Sequence, residues 1–126
     1  MRVLLDTHIY LWWLLDSRRM PDSAAEVIAD PSTIVYVSAA SLWEASIKSA
    51  LGRLDLDGID LIDELGRNGF DELGVSASHG WSAGRLPAHH RDPFDRVLVA
   101  QARHEQLLLV TDDDVLARYG VPILGH

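Results

Sequence analysis

Cysteine is absent from the 126 residues, which removes both a disulfide framework and any thiolate zinc site. The chain must therefore hold itself together by burial. At this length one compact domain, residues 1–126, buries roughly two-thirds of its unfolded surface and leaves no room for a second. A chain without thiols also suits a reducing compartment. Long apolar runs are missing too. The stretch Ile9 to Leu15 has seven residues and lies between Asp6 and Asp16, whereas a transmembrane helix needs roughly 20. A secretory leader needs a longer run and a small-residue cleavage site, so the expected setting is the cytoplasm, with no membrane partner.

Positive charge is scarce. There are 19 acidic residues against 11 Lys plus Arg, a formal net charge of −8. That is the wrong sign for bulk attraction to a phosphate backbone. A nucleic-acid enzyme with this balance needs local compensation, from bound divalent cations or a concentrated arginine patch. Lys48 is the single lysine. The remaining basic residues, all arginine, suit bidentate phosphate contact, and equally a GC-rich coding bias.

What is present is an alternation of short apolar runs with amphipathic ones, the pattern of an α/β domain around a mainly parallel sheet. Strands are expected at Val3–Asp6, Thr33–Val37, Phe70–Val75, Leu107–Val110 and Pro122–Leu124. Helices are expected at Thr7–Leu15, from Asp22 to about Ala29, Ser41–Leu51, Ile59–Leu65, Asp92–Glu105 and Asp114–Tyr119, with a helical turn over Ser78–Arg85. In the Ser41 helix, Trp43, Ile47, Ala50 and Leu51 share one face, which predicts core packing for Trp43, and Gly52 ends it. The whole reads as five strands with helices on both faces of the sheet.

The acids fall at informative places. Asp6 ends the first strand, Glu44 and Asp95 lie in first helical turns, and Asp112, Asp113 and Asp114 follow the fourth strand directly. In an open parallel sheet, whatever lies just beyond the strand ends gathers in one crevice at the topological switch point. At about 4.5 Å and an effective dielectric near 20, two such carboxylates repel by roughly 4 kcal/mol. A cluster of them persists when protons or divalent cations neutralise it, and hard oxygen donors select Mg²⁺ or Mn²⁺. Each acid also has a plainer reading. Ser41-Leu42-Trp43-Glu44 has the form of a capping box, and Asp92-Pro93-Phe94-Asp95 that of an N-cap with proline at N1 and an acid at N3. Thr111 to Asp114 is a third version. Asp6 has no such role beyond a possible N-cap for the Thr7 helix.

Four blocks of the chain stand in order: Leu4-Leu5-Asp6-Thr7-His8 with Leu11-Trp12-Trp13; Ser38 to Glu44 with Ile47-Lys48 and Leu51 to Leu54; His90 to Arg96 with Ala100-Gln101-Ala102; and Leu109-Val110-Thr111 through Tyr119-Gly120-Val121. Together they resemble the PIN-domain nucleases, and among them the VapC-type toxins. The resemblance implies a three-layer α/β/α PIN-like fold. It implies a metal site of Asp6, Glu44, Asp95 and Asp113, the last standing two residues after Thr111, with Thr111 and Asp112 as possible support. The implied activity is Mg²⁺- or Mn²⁺-dependent hydrolysis of RNA with no side-chain nucleophile. A homodimer and a small cognate antitoxin are implied as well. The antitoxin's C-terminal segment would cover the acids, and operator DNA would be met only through it. A catalytically inactive PIN-like binding module is the alternative, disfavoured because all four acids are intact.

Other residues carry weaker signals. Arg91 and Arg96 flank the third acid and are candidates for phosphate contact, with ion pairing to the acids as the alternative. His89-His90 reads as a hydrogen-bonded loop pair rather than a zinc site, since no other histidine stands at a ligand spacing. Trp12 and Trp13 are adjacent and cannot both face inward, so one is expected at a contact surface. His8 is placed either toward the pocket or on the helix surface, and His126 carries no message. A haloacid-dehalogenase-like phosphatase needs a second Asp where His8 stands. A phospho-receiver domain needs an Asp where the third strand ends in Val75-Ser76-Ala77.

Overall fold

The computed structural model describes residues 1–124, and there the chain forms a five-stranded sheet of order β3-β2-β1-β4-β5. The strands are β1 (Arg2–Leu5), β2 (Ile34–Ser38), β3 (Asp71–Leu73), β4 (Leu108–Val110) and β5 (Ile123–Leu124). Every pairing is parallel. The helices are α1 (Thr7–Leu14), α2 (Asp22–Ala29), α3 (Ala39–Ala50), α4 (Leu61–Arg67), α5 (Ala77–Gly84) and α6 (Pro93–Glu105), with a 3-10 helix at Asp114–Tyr119. None is long and apolar enough to cross a membrane.

β1 is central because both its faces are apolar. Val3 and Leu5 point into one core with Ile9, Tyr10, Ile28, Val35, Val37 and Leu65, under α1, α2 and α4. Leu4 points the other way, into a second core with Leu98, Val99, Leu107, Leu109 and Leu116, under α6. The period-2 alternation of one strand thus feeds two layers, and the result is the expected α/β/α sandwich. Tyr10 stays buried because its hydroxyl donates to the Leu61 carbonyl at 2.8 Å, which binds α1 to the start of α4.

Local chemistry sets the boundaries. Ser38, not Ser41, caps α3: its hydroxyl accepts from the Ala40 amide at 3.0 Å. The helix therefore starts at Ala39, and Glu44 lies in its second turn. Ser41 is helical and buried, so the capping-box reading of Ser41 and Glu44 is corrected. Ala39 and Ala40 are strong helix formers, and nothing delays the helix to Ser41. The segment Ser78–Arg85, expected as a helical turn, falls in the full helix α5 (Ala77–Gly84) with Arg85 as its C-cap, and a capping box in which Ser76 and His79 bond each other's backbone amides starts it. Gly52 and Gly69 follow α3 and α4 with φ of +71° and +69°, the left-handed conformation that lets the chain leave a helix.

Candidate metal centre

In this topology a helix that follows a strand begins at the strand's carboxyl end. β1, β2 and β4 end within one residue of the same level, with Leu5 opposite both Val37 and Val110. Asp6 and Thr111 follow β1 and β4, Ser38 is the last residue of β2, and the three rim one crevice. The N-termini of α1, α3 and α6 and of the 3-10 helix face the same edge. Their exposed amides carry partial positive charge and favour acids there.

Each acid is held by a specific donor. Asp6, 4% exposed, accepts from the Thr111 hydroxyl at 2.7 Å. It stands at the N-cap position of α1 but makes no side-chain cap bond, which leaves its carboxylate for the crevice. Glu44, 3% exposed, accepts from the Thr7 hydroxyl at 2.7 Å, and Thr7 lies 2.9 Å from the Ser41 hydroxyl. The other Glu44 oxygen pairs with Lys48 at 2.7 Å one turn on, and that carboxylate holds the lysine's proton more tightly than usual. The one lysine of the chain is therefore committed to this site.

Asp95 and Asp113 face each other across His90. The ring Nε2 of His90 lies 3.2 Å from Asp95 Oδ2 and 3.1 Å from Asp113 Oδ2. One donor atom from each of the three residues falls within 4.8 Å of the others. Asp113 also caps the 3-10 helix through the Val115 amide, and its own amide donates to the Thr111 hydroxyl. Asp112 and Asp114, its neighbours, are exposed. Of the three consecutive aspartates, Asp113 is the one that turns to the pocket. Asp92 is the N-cap of α6, accepting from the Phe94 amide at 2.9 Å.

The proximity of these acids is felt in their ionisation. Burial pushes the Asp95 carboxyl up to about 8, and the charges of Asp6, Asp92, Glu44 and Asp113 add to the rise. Asp6 is raised as well, chiefly by burial; the Thr111 bond and the charge of His8 oppose the shift without cancelling it. Four separated segments thus sense one another's charge, as an acidic crevice at the switch point requires. His8 itself is exposed, against Trp12 with ring centroids 5.9 Å apart. His126 lies outside the described residues.

Sequence reasoning read His90 as half of a hydrogen-bonded loop pair and did not find its acidic partners, which stand 5 and 23 positions away. A search for short histidine spacings cannot find such a set. Arg96, expected at a phosphate, is turned inward. Its guanidinium donates to the carbonyls of Leu86, Pro87 and His90 at 2.9–3.1 Å, and so fastens the loop before α6. Arg96→Lys puts one ammonium where a planar fork served three carbonyls. It is expected to destabilise the protein by about 1–3 kcal/mol, read as a drop in the thermal midpoint. Arg91 is exposed.

Trp43 also departs from expectation. It is 64% exposed and packs T-shaped against Phe94, ring centroids 5.2 Å apart. Ile47 and Leu51 on the same face are exposed too. The apolar stripe of α3 points outward, while its inner face carries Ala40, Ser41, Glu44 and Ala45. Between α3 and α6 this leaves an apolar groove lined by Ala39, Ala40, Trp43, Val75, Phe94 and Val97. Trp12 and Trp13 are both half-buried. Trp13 packs on Phe70 and donates to Asn68 at 3.0 Å, and Trp12 lies beneath the Arg19 guanidinium.

Comparison with known proteins agrees with this architecture. Among curated proteins none matches the chain. Among solved structures it is similar to VapBC2 from Rickettsia felis bound to a DNA fragment from their promoter, with a TM-score of 0.73, 19% identity and 98% of each chain covered. FitAcB from Neisseria gonorrhoeae gives a TM-score of 0.63 at 18% identity, covering 98% of this chain and 96% of that one. A toxin–antitoxin complex from Klebsiella pneumoniae gives 0.60 at 16% identity, covering 89% and 87%. At these identities the likeness is one of fold. The family model of the PIN domain matches residues 3–122, nearly the whole length and all four acids, and the chain belongs to the PIN domain family.

Proposed function

We propose that the chain is a divalent-cation-dependent endoribonuclease, the toxin half of a VapBC-type toxin–antitoxin pair. The observation that carries this reading is the gathering of acids from four segments at one sheet edge, Asp6 and Glu44 buried and Asp95 and Asp113 within 3.2 Å of one His90 nitrogen. Burial and the neighbouring charges push the Asp95 carboxyl up to about 8. A pocket that resists its own ionisation so strongly is one in which a cation relieves the repulsion. The donor set fits Mg²⁺ or Mn²⁺, because Asp6, Glu44, Asp95 and Asp113 offer hard oxygens and the chain has no thiolate. Such an ion, when bound, supplies an activated water and offsets the charge of a phosphodiester.

The chain's own groups do the positioning. Thr111 fixes Asp6 and Thr7 fixes Glu44, so two acids are pre-set with little freedom to lose. Arg91 is the exposed cation nearest in sequence to the third acid and is the candidate for an RNA phosphate. RNA as substrate rests on the resemblance of the four sequence blocks to VapC-type toxins. The structural neighbours include a toxin–antitoxin complex and a VapBC pair on promoter DNA. By analogy a small antitoxin covers this pocket, and operator DNA is reached through it. The outward apolar face of α3 and the groove beside it suit protein contact, with the antitoxin or with a second copy in a homodimer.

Incubated with RNA, the purified chain is expected to cut only when Mg²⁺ or Mn²⁺ is supplied. In cells expressing it, mapped RNA ends should vanish on Asp6→Asn, with the fold unchanged by circular dichroism. Undiminished cutting by that variant, or cutting in the presence of a chelator, would sink the reading.

A further inference from the structure

His90 is held at every polar atom it has. Its amide donates to the Tyr119 hydroxyl at 2.8 Å and its carbonyl accepts from Arg96 at 3.1 Å. Its ring Nδ1 accepts from the Asp92 amide at 3.0 Å, and its Nε2 sits between Asp95 and Asp113. A backbone amide can only donate, so the lone pair of Nδ1 is engaged and the ring proton is on Nε2. The hydrogen bond made by one ring nitrogen decides the role of the other. Nε2 then has no lone pair in the ring plane to give a cation. What it has is an N–H, aimed at carboxylate oxygens from two different segments.

By spacing alone His90 could pass for a third ligand beside the two acids, since one donor atom of each lies within 4.8 Å of the others. The tautomer points elsewhere. Arg96 and Tyr119 fix the backbone, the Asp92 amide fixes the ring, and one N–H is left shared between Asp95 Oδ2 and Asp113 Oδ2. Those oxygens come from residues on either side of β4, and no direct bond joins the two carboxylates. Resting on the metal-centre reading above, we propose that His90 is the positioning residue of that centre. It is a neutral imidazole, locked as the Nε2–H form, that clasps Asp95 and Asp113 to face one cation without becoming a ligand itself.

Two measurements test the clasp. In long-range ¹H–¹⁵N spectra the His90 proton is expected on Nε2, both in cation-free protein and with saturating Mg²⁺. A proton on Nδ1 in the loaded protein would identify a ligand and overturn the proposal. Cation binding is then titrated calorimetrically in His90→Leu and His90→Gln. Loss of an outer-shell orienting partner typically weakens metal binding about 10- to 100-fold. His90→Leu is expected to fall in that range for Mg²⁺ and Mn²⁺ alike. His90→Gln, whose amide N–H₂ can stand near the Nε2 position, should recover most of the loss.

A deficit confined to Mn²⁺ would mark an imidazole ligand, because nitrogen donors favour the transition metal. That result, or undiminished binding in folded His90→Leu, overturns the clasp. Should His90→Leu not fold, the rescue by His90→Gln and the tautomer still decide. Wild-type protein that takes up neither ion would sink the metal centre instead, and the position of the ring proton would still show whether His90 is the donor described.

Discussion

Asp95→Asn is expected to make the cation-free protein more stable while removing its nuclease activity. The side chain is only 15% exposed, and its carboxyl ionises near 8 in the folded state against 3.8 in the unfolded chain. At pH 7 the unfolded chain gains from ionising Asp95 while the folded protein forgoes it. That difference is on the order of 2–4 kcal/mol in favour of unfolding. Asparagine keeps the shape, still accepts from His90 and carries no charge, so the penalty disappears. The thermal midpoint should rise by several degrees. RNA cleavage should drop on the order of 10³-fold or more, since one acid of a coupled set is gone. A variant that is destabilised by the exchange, or that still cleaves, would show that Asp95 is not held against its neighbours' charges.

The second large effect is the dependence of stability on pH, with and without a divalent ion. The sign follows from proton counting. Below about pH 4 Asp95 is protonated in both states and contributes nothing. Between about 4 and 8 the unfolded chain has released that proton and the folded protein retains it, so stability falls as pH rises. Above about 8 both states are ionised and the loss is complete. Asp6, raised in the same direction, adds to the slope. A cation binds the ionised pocket of the folded state alone and competes with these protons. The cation-free thermal midpoint should therefore be lower at pH 8 than at pH 5.5. Millimolar Mn²⁺ should restore it, with a gain that grows with pH. Asp95→Asn should flatten the cation-free slope and remove most of the Mn²⁺ gain. Equal gains at both pH values would mean that the ion binds elsewhere.

Three of the four acids were legible because their positions follow from simple rules. Asp6 ends an apolar run, Asp95 follows Asp-Pro in a first helical turn, and Asp113 follows an apolar strand closed by Thr111. Glu44 was found for an incorrect local reason. Ser38 caps α3 three residues earlier than Ser41 could, and Glu44 faces inward as part of a polar inner face. The same helix misleads about Trp43. Periodicity detects an apolar stripe but not what covers it, and here the chain's own core lies on the other side. β3 came out shorter than Phe70–Val75 because only Asp71–Leu73 pair with β2. His90 was invisible as a site residue because its partners are brought to it by α6 and β4, from either side in the sequence.

Met1 lies at the opposite rim of the sheet from the acids. The Met1 carbonyl accepts from the Ile34 amide at 2.8 Å, at the amino end of β1, and Asp6 lies one strand length away, roughly 13–16 Å. A purification tag or fluorescent reporter joined ahead of Met1 would hang from that far rim and leave the crevice clear. An insertion between Thr111 and Asp114 would sit in the mouth of the crevice itself.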